Sequence, residues 1–110
     1  MTEKMLYKAI RKMNYNQLNN YAEHIRKTIY DVVSNSNGHL ASNLGVVELT
    51  LALYRVYNPE KDVVIWDTSH QSYVHKLLTG RWSSFKTIRT LNGLSGFTNI
   101  KESYLYRFGT

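Results

Sequence analysis

The chain contains no cysteine, which excludes a disulfide framework and any thiolate metal site. Reducing and oxidising compartments are both left open. There is a single proline, Pro59, and no internal repeat or low-complexity stretch. No apolar run approaches the roughly 18–20 residues that a membrane span needs. The opening Met1-Thr2-Glu3-Lys4-Met5 lacks the apolar core of a signal peptide. The expected setting is therefore cytoplasmic, with no membrane partner. Uninterrupted basic runs are also missing. The formal charge of +6 is spread over Lys4, Lys8, Arg11, Lys12, Arg26, Lys27, Arg81, Lys86 and Arg89, among others. Scattered charge of this kind reads as solvated helix faces and argues against a nucleic-acid partner. A phosphate-bearing ligand or an acidic partner is the alternative.

What is present is ordinary globular composition, 43% hydrophobic and 20% charged in 110 residues. That is at most one domain, long enough for a core. The nine tyrosines are dispersed and read as half-buried residues at the rim of that core.

Leu6, Ile10 and Met13 suggest a short first helix. From Tyr15 to Val33 the pattern is clearer, with Leu18, Tyr21, Ala22, Ile25, Ile29, Val32 and Val33 forming one apolar stripe. Asn14 can cap it, with Gln17 completing a capping box, and Ser34 to Gly38 end it. His24 lies off the stripe and reads as a solvated surface residue. Ser42 or Asn43 can cap the next helix, which holds Val46, Val47, Leu49, Thr50, Leu53, Tyr54 and Tyr57. Its apolar positions cover more than one face and predict deep burial. Glu48 complements that helix's positive end, and Pro59 stops it. Val63 to Trp66 is a short apolar run that predicts a buried strand. Gln71 or Ser72 to Leu78 predicts a helix ending at Gly80, and Ser83 to Thr90 a further short one. Asn92-Gly93-Leu94-Ser95-Gly96-Phe97 is a turn-rich loop. One strand among helices cannot pair its own backbone groups, so the chain is expected to be part of something larger.

Two polar corners can carry chemistry. In the first, His39 follows Gly38, and an imidazole at a sharp turn is placed for proton transfer near neutral pH. The bland alternative is a loop histidine that hydrogen-bonds backbone. In the second, Asp67-Thr68-Ser69-His70-Gln71 follows the expected strand, where α/β folds bind ligands. Ser69, His70, Gln71 and the start of the next helix can donate to an anionic oxygen. The spacing of His70 and His75 does not suit a metal pair. His75 and Lys76 complement the end of their helix. No nucleophile elbow, P-loop or dinucleotide fingerprint occurs.

The segment from Asn37 to Leu53, which opens Asn37-Gly38-His39-Leu40-Ala41-Ser42-Asn43-Leu44-Gly45, resembles the N-terminal motif of 1-deoxy-D-xylulose-5-phosphate synthases. Ile65-Trp66-Asp67-Thr68-Ser69-His70-Gln71-Ser72-Tyr73, followed by His75-Lys76-Leu77-Leu78-Thr79-Gly80-Arg81, resembles their second motif. Asn92-Gly93-Leu94-Ser95-Gly96-Phe97 with Glu102-Ser103 is similar to a third. The resemblance runs from about Tyr15 to Thr110, in order. It implies an α/β fold class, with residues 1–110 an incomplete N-terminal part of a transketolase-like, thiamine-diphosphate-binding domain. That part would be mostly helical with one buried strand at 63–66. It further implies condensation of pyruvate with glyceraldehyde 3-phosphate, with loss of carbon dioxide, using thiamine diphosphate and magnesium. The product feeds isoprenoid, thiamine and pyridoxal phosphate synthesis. By motif match, His39 would assist proton transfer, His70 would contact the cofactor's diphosphate side, and Ser42 would line the substrate pocket. Asn43, Gln71 and Tyr73 would support them.

The chain also departs from the family pattern. Asn37 and Ser69 stand where the family has glycine, and a site that needs a positive φ at Ser69 would be strained or crowded by it. Ser72 and Val74 replace alanine and proline. The family's magnesium ligands, its glutamate that activates the aminopyrimidine and most of its sugar-phosphate contacts are not among these residues. No metal site is expected here, and the chain alone is expected to be inactive, needing the remainder of the enzyme or a second copy. The competing reading is a non-catalytic interaction module that keeps the scaffold.

Overall fold

The computed structural model describes residues 6–34, 38–66, 69–99 and 101–103. Asn37, Asp67 and the tail from 104 onward, which enter the sequence reading, lie outside the described residues. Those described form α1 (Tyr7–Ile10), α2 (Tyr15–Val33), α3 (Leu40–Leu44), α4 (Val47–Val56), α5 (Tyr73–Leu78) and a 3₁₀ turn at Phe85–Thr87. None of the helices is long and apolar enough to cross a membrane.

α2 is built as its pattern requires. The Asn14 side chain accepts from the Gln17 N–H at 2.8 Å, and the Asn14 N–H donates to Gln17 Oε1 at 2.9 Å. The helix buries Ala22, Ile25, Ile29 and Val33. These meet Val47, Leu51 and Tyr54 of α4, Leu77 and Leu78 of α5, and Phe85 in one core. Outside that core, Arg26 of α2 donates to Glu23 and to both carboxylate oxygens of Glu48 on α4. Glu48 does stand in the first turn of α4, but its stronger partner is this guanidinium. Hydrogen bonding to Arg26 holds its carboxyl below the usual range.

Several expectations are corrected. The predicted buried strand at 63–66 is not there, and no strand occurs among the described residues. The segment is unpaired, with Val63 46% and Ile65 61% exposed, while Val64 and Trp66 are half-buried. A continuous apolar run predicts cover on both faces, but only alternate side chains turn toward the helices. The described chain is therefore helical, and the α/β reading with its clear strand does not hold for it.

α4 is buried on one face only, since Leu49 and Val56 are exposed. Ser42 and Asn43 do not cap it. They lie within α3, and α4 is preceded by Val46, which gives it no side-chain cap. Tyr7, Tyr54 and Tyr73 belong to the core itself, with Tyr15 and Tyr30 well exposed. His24 is exposed, as expected, and stacks on Trp82, rings 5.2 Å apart and 16° from parallel.

The expected helix at 83–90 shortens to the 3₁₀ turn, because Ile88 turns to an extended ψ of 129° and Arg89 after it to φ 60°, where a right-handed helix cannot continue. Gly80, as expected, follows α5 at φ 93°, a conformation that glycine takes without steric cost. Gly93 is needed for space. A Cβ there would lie 2.1 Å from the Thr87 carbonyl oxygen.

Candidate functional site

The two polar corners converge. His39 precedes α3 with φ −90° and ψ 86°, and its ring lies 5.2 Å from that of His70 in an edge-to-face arrangement. Phe97 comes within 6.3 Å of His39, centroid to centroid. Residues 31 positions apart in sequence thus share one site.

Asn43 holds the corners together. It is fully buried. Its Nδ2 donates to the His39 carbonyl at 2.7 Å and to the His70 carbonyl at 2.8 Å. Its Oδ1 accepts from the Tyr73 N–H at 3.0 Å. Every hydrogen-bonding position of the amide but one is thereby used. The last bond also engages the first N–H of α5, which the sequence reading offered to an anion. The Tyr73 hydroxyl accepts from the His39 N–H at 3.2 Å, and Gln71 Nε2 reaches the Ser42 carbonyl at 3.4 Å. The structure thus brings together His39, His70, Ser42, Asn43, Gln71 and Tyr73.

Ser69 opens the second corner at φ 66°, and it is fully buried. Its carbonyl accepts from Ser72 Oγ at 2.7 Å, and its Oγ accepts from the Thr98 N–H at 3.0 Å. The glycine-like backbone suspected at this position is therefore real, and serine adopts it.

Ser42 Oγ and His70 Nδ1 are shielded from solvent and have no hydrogen-bond partner among the described residues. Such atoms are uncommon in folded proteins and often mark a ligand or ordered water. A separate apolar cavity of about 200 Å³ between α2 and α4, lined by Tyr15, Leu18, Ala22 and Leu51, has no lining residue in common with the histidine site. Among the described residues, no three His, Cys, Asp or Glu side chains cluster so as to hold a metal ion.

Behind the site lies a charged group that the sequence reading missed. Lys76 is fully buried. Its Nζ donates to the carbonyls of Ser95 and Phe97 at 2.6 and 2.8 Å and to Glu102 Oε1 at 2.7 Å. Arg81 Nη1 shares that oxygen at 3.0 Å, and Glu102 Oε2 accepts from the Ser95 N–H at 2.8 Å. Burial pushes the Lys76 ammonium below its ordinary range, against the pull of Glu102. His75 is also buried and hydrogen-bonds the Tyr54 hydroxyl through Nδ1. Burial, aided by the charges of Arg81 and Lys76, pushes its pKa down to about 3, so it stays neutral at physiological pH. Both stand in the last turn of α5 as expected, but the neutral His75 brings no cation there and the Lys76 ammonium bonds outside the helix. The signal available was the run Tyr73-Val74-His75-Lys76-Leu77-Leu78, apolar on both sides of its charges.

Comparison with known proteins agrees with the motifs. The sequence model of the family described as 1-deoxy-D-xylulose-5-phosphate synthase matches residues 2–110. The chain is 58% identical over 106 residues to the 1-deoxy-D-xylulose-5-phosphate synthase of Thermotoga maritima, covering 96% of this chain and 17% of that protein. It is 52% identical over 101 residues to the synthase of Clostridium acetobutylicum, covering 92% of this chain and 16% of that protein. The protein of the same name from Desulfitobacterium hafniense is 55% identical over 94 residues, 86% of this chain and 15% of its own length. The chain thus spans roughly a sixth of the length of the curated relatives it matches.

Proposed function

The chain belongs to the 1-deoxy-D-xylulose-5-phosphate synthase family, and from that premise we propose that residues 1–110 supply one wall of a thiamine diphosphate site. The proposed reaction joins pyruvate to glyceraldehyde 3-phosphate with loss of carbon dioxide, in the cytoplasm. It feeds isoprenoid, thiamine and pyridoxal phosphate synthesis.

The observation that carries this reading is the meeting of His39 and His70 at 5.2 Å on corners fixed by one buried amide. The partnerless Ser42 Oγ and His70 Nδ1 fit a ligand rich in acceptor oxygens. When bound, thiamine diphosphate supplies carbanion stabilisation and an electron sink. In the proposed roles, His70 donates toward the diphosphate side, His39 moves a proton near the reacting carbon, and Ser42 lines the substrate pocket. Imidazoles suit proton transfer because they titrate near neutral pH. Asn43 and Tyr73 keep His39 in place from behind. Magnesium would be held by ligands from the rest of the family's sequence. On this reading the 110 residues alone do not catalyse, and need that remainder, joined or as a partner.

Two measurements test the reading. Calorimetric titration of the chain alone with thiamine diphosphate and magnesium is expected to show no saturable heat. Joined to the remaining part of a relative, the chain is expected to restore carbon dioxide release from pyruvate. His39→Ala should then lower turnover by at least about 100-fold, the usual range for a general acid or base, and His70→Ala should weaken cofactor binding. Full activity in both variants would sink the assignment.

A further inference from the structure

Segment 95–98 forms the Phe97 side of the histidine site, and its backbone is tied down at both ends. At one end Lys76 and Glu102 take the Ser95 carbonyl, the Phe97 carbonyl and the Ser95 N–H. At the other, the Thr98 N–H donates to Ser69 Oγ at 3.0 Å. Ser69 is fully buried and holds φ 66°. A left-handed backbone costs a residue with a Cβ roughly 1–2 kcal/mol, a cost that glycine avoids. Something must offset that cost, and the hydroxyl is the only part of the side chain able to form a directional bond. The same residue precedes His70, and its carbonyl is fixed by Ser72 Oγ at 2.7 Å. One residue therefore sets the bend that presents His70 and also anchors the segment that presents Phe97 to His39.

We propose that Ser69 is a positioning residue of the histidine site, acting through the Thr98 backbone to hold Phe97 against His39. It rests on the reading of His39 and His70 as the reacting corner. The placement it describes can be measured without cofactor, so the two ideas fail separately.

The test compares the 110-residue chain with Ser69→Gly and Ser69→Ala, labelled for nuclear magnetic resonance. Ser69→Gly loses the hydroxyl and relaxes the backbone. Ser69→Ala loses the hydroxyl and keeps the strained φ. Both are expected to raise hydrogen exchange at the Thr98 amide by about tenfold, the loss of one net hydrogen bond, relative to Ile29 in α2. Both should also move the His39 ring proton resonances, since the Phe97 ring lies 6.3 Å away and its ring current depends on that placement. Stability should rank the glycine variant above the alanine variant. A role in stability alone would follow that ranking and leave the His39 resonances in place. Unchanged Thr98 exchange or unchanged His39 resonances in Ser69→Gly overturns the proposal, whatever happens to Ser69→Ala. Failure of Ser69→Gly to fold, despite its relaxed backbone, would assign the hydroxyl to global stability and overturn it as well. Thiamine diphosphate titration of the joined enzyme then addresses the functional reading independently.

Discussion

Asn43 is the residue on which the candidate site turns. It satisfies two carbonyls and one N–H from the two corners with a single buried amide. Removing it would strand those groups away from water, at about 1–3 kcal/mol for each one left unsatisfied. Asn43→Ala is therefore expected to lower unfolding free energy by at least about 2 kcal/mol in urea titration. Asn43→Asp should be worse, because it keeps only the bond from Tyr73 and buries a charge. Equal stability of the parent and both variants would contradict the stapling role.

His75 gives a second residue-level test. Its pKa falls from 6.5 to about 3 on burial. The unfolded chain therefore binds a proton that the folded chain refuses across that window. Stability from this group is fully present above pH 6.5 and is lost as pH falls toward 3. At pH 5 the loss is about 2 kcal/mol, taken as 1.36 kcal/mol per pH unit. His75→Gln retains a partner for Tyr54 and cannot titrate. Its stability should fall less between pH 7 and pH 5 than the parent's, by that margin, and parallel profiles would count against a buried neutral imidazole.

At the scale of elements, α2 shows what local sequence can specify. Its stripe and its cap lie within one stretch of chain, so periodicity and Asn14 with Gln17 were sufficient to find it. Asn14→Ala should cost about 1 kcal/mol, read from the shift in thermal or urea midpoint, with no change at His39 or His70 in the resonance spectrum. The two histidine corners were also legible, as polar breaks between apolar patterns. What failed was non-local. The run at 63–66 looks like a strand, but a strand needs a partner, and none lies among the described residues. Asn43 has the composition of a cap, yet its amide bonds to His70 and Tyr73, 27 and 30 positions away. Ile88, with an extended ψ of 129°, ended a helix that its neighbours' propensities favoured, and Arg89 follows it at positive φ. Local rules failed where the deciding partner, or the lack of one, lay elsewhere in the fold.

At the scale of the whole molecule, the buried group of Lys76, Arg81 and Glu102 ties α5 to the 95–98 segment and so closes the histidine site from behind. The apolar run around Lys76 signalled burial, but the carboxylate that compensates it lies 26 positions away. The group carries two cations and one anion, so Glu102 is the member whose loss leaves the most uncompensated charge. A buried ion pair gains little net energy when formed, since desolvation offsets the attraction. Breaking one from a single side costs about 3–5 kcal/mol. Folded domains are stable by only about 5–15 kcal/mol, so Glu102→Gln should remove a large share of the stability although the side chain keeps its shape. Lys76→Met also strands the Ser95 and Phe97 carbonyls, and should be similarly damaging. The double variant removes one of the two cations that Glu102→Gln isolates, but leaves Arg81 and the stranded carbonyls uncompensated. Its loss should therefore be smaller than the sum of the two single losses, yet not zero. Urea unfolding followed by the fluorescence of Trp66 and Trp82 would give all four corners of that cycle. Strict additivity would mean that Lys76 and Glu102 do not act as a pair, and that segment 95–98 owes its placement to other contacts.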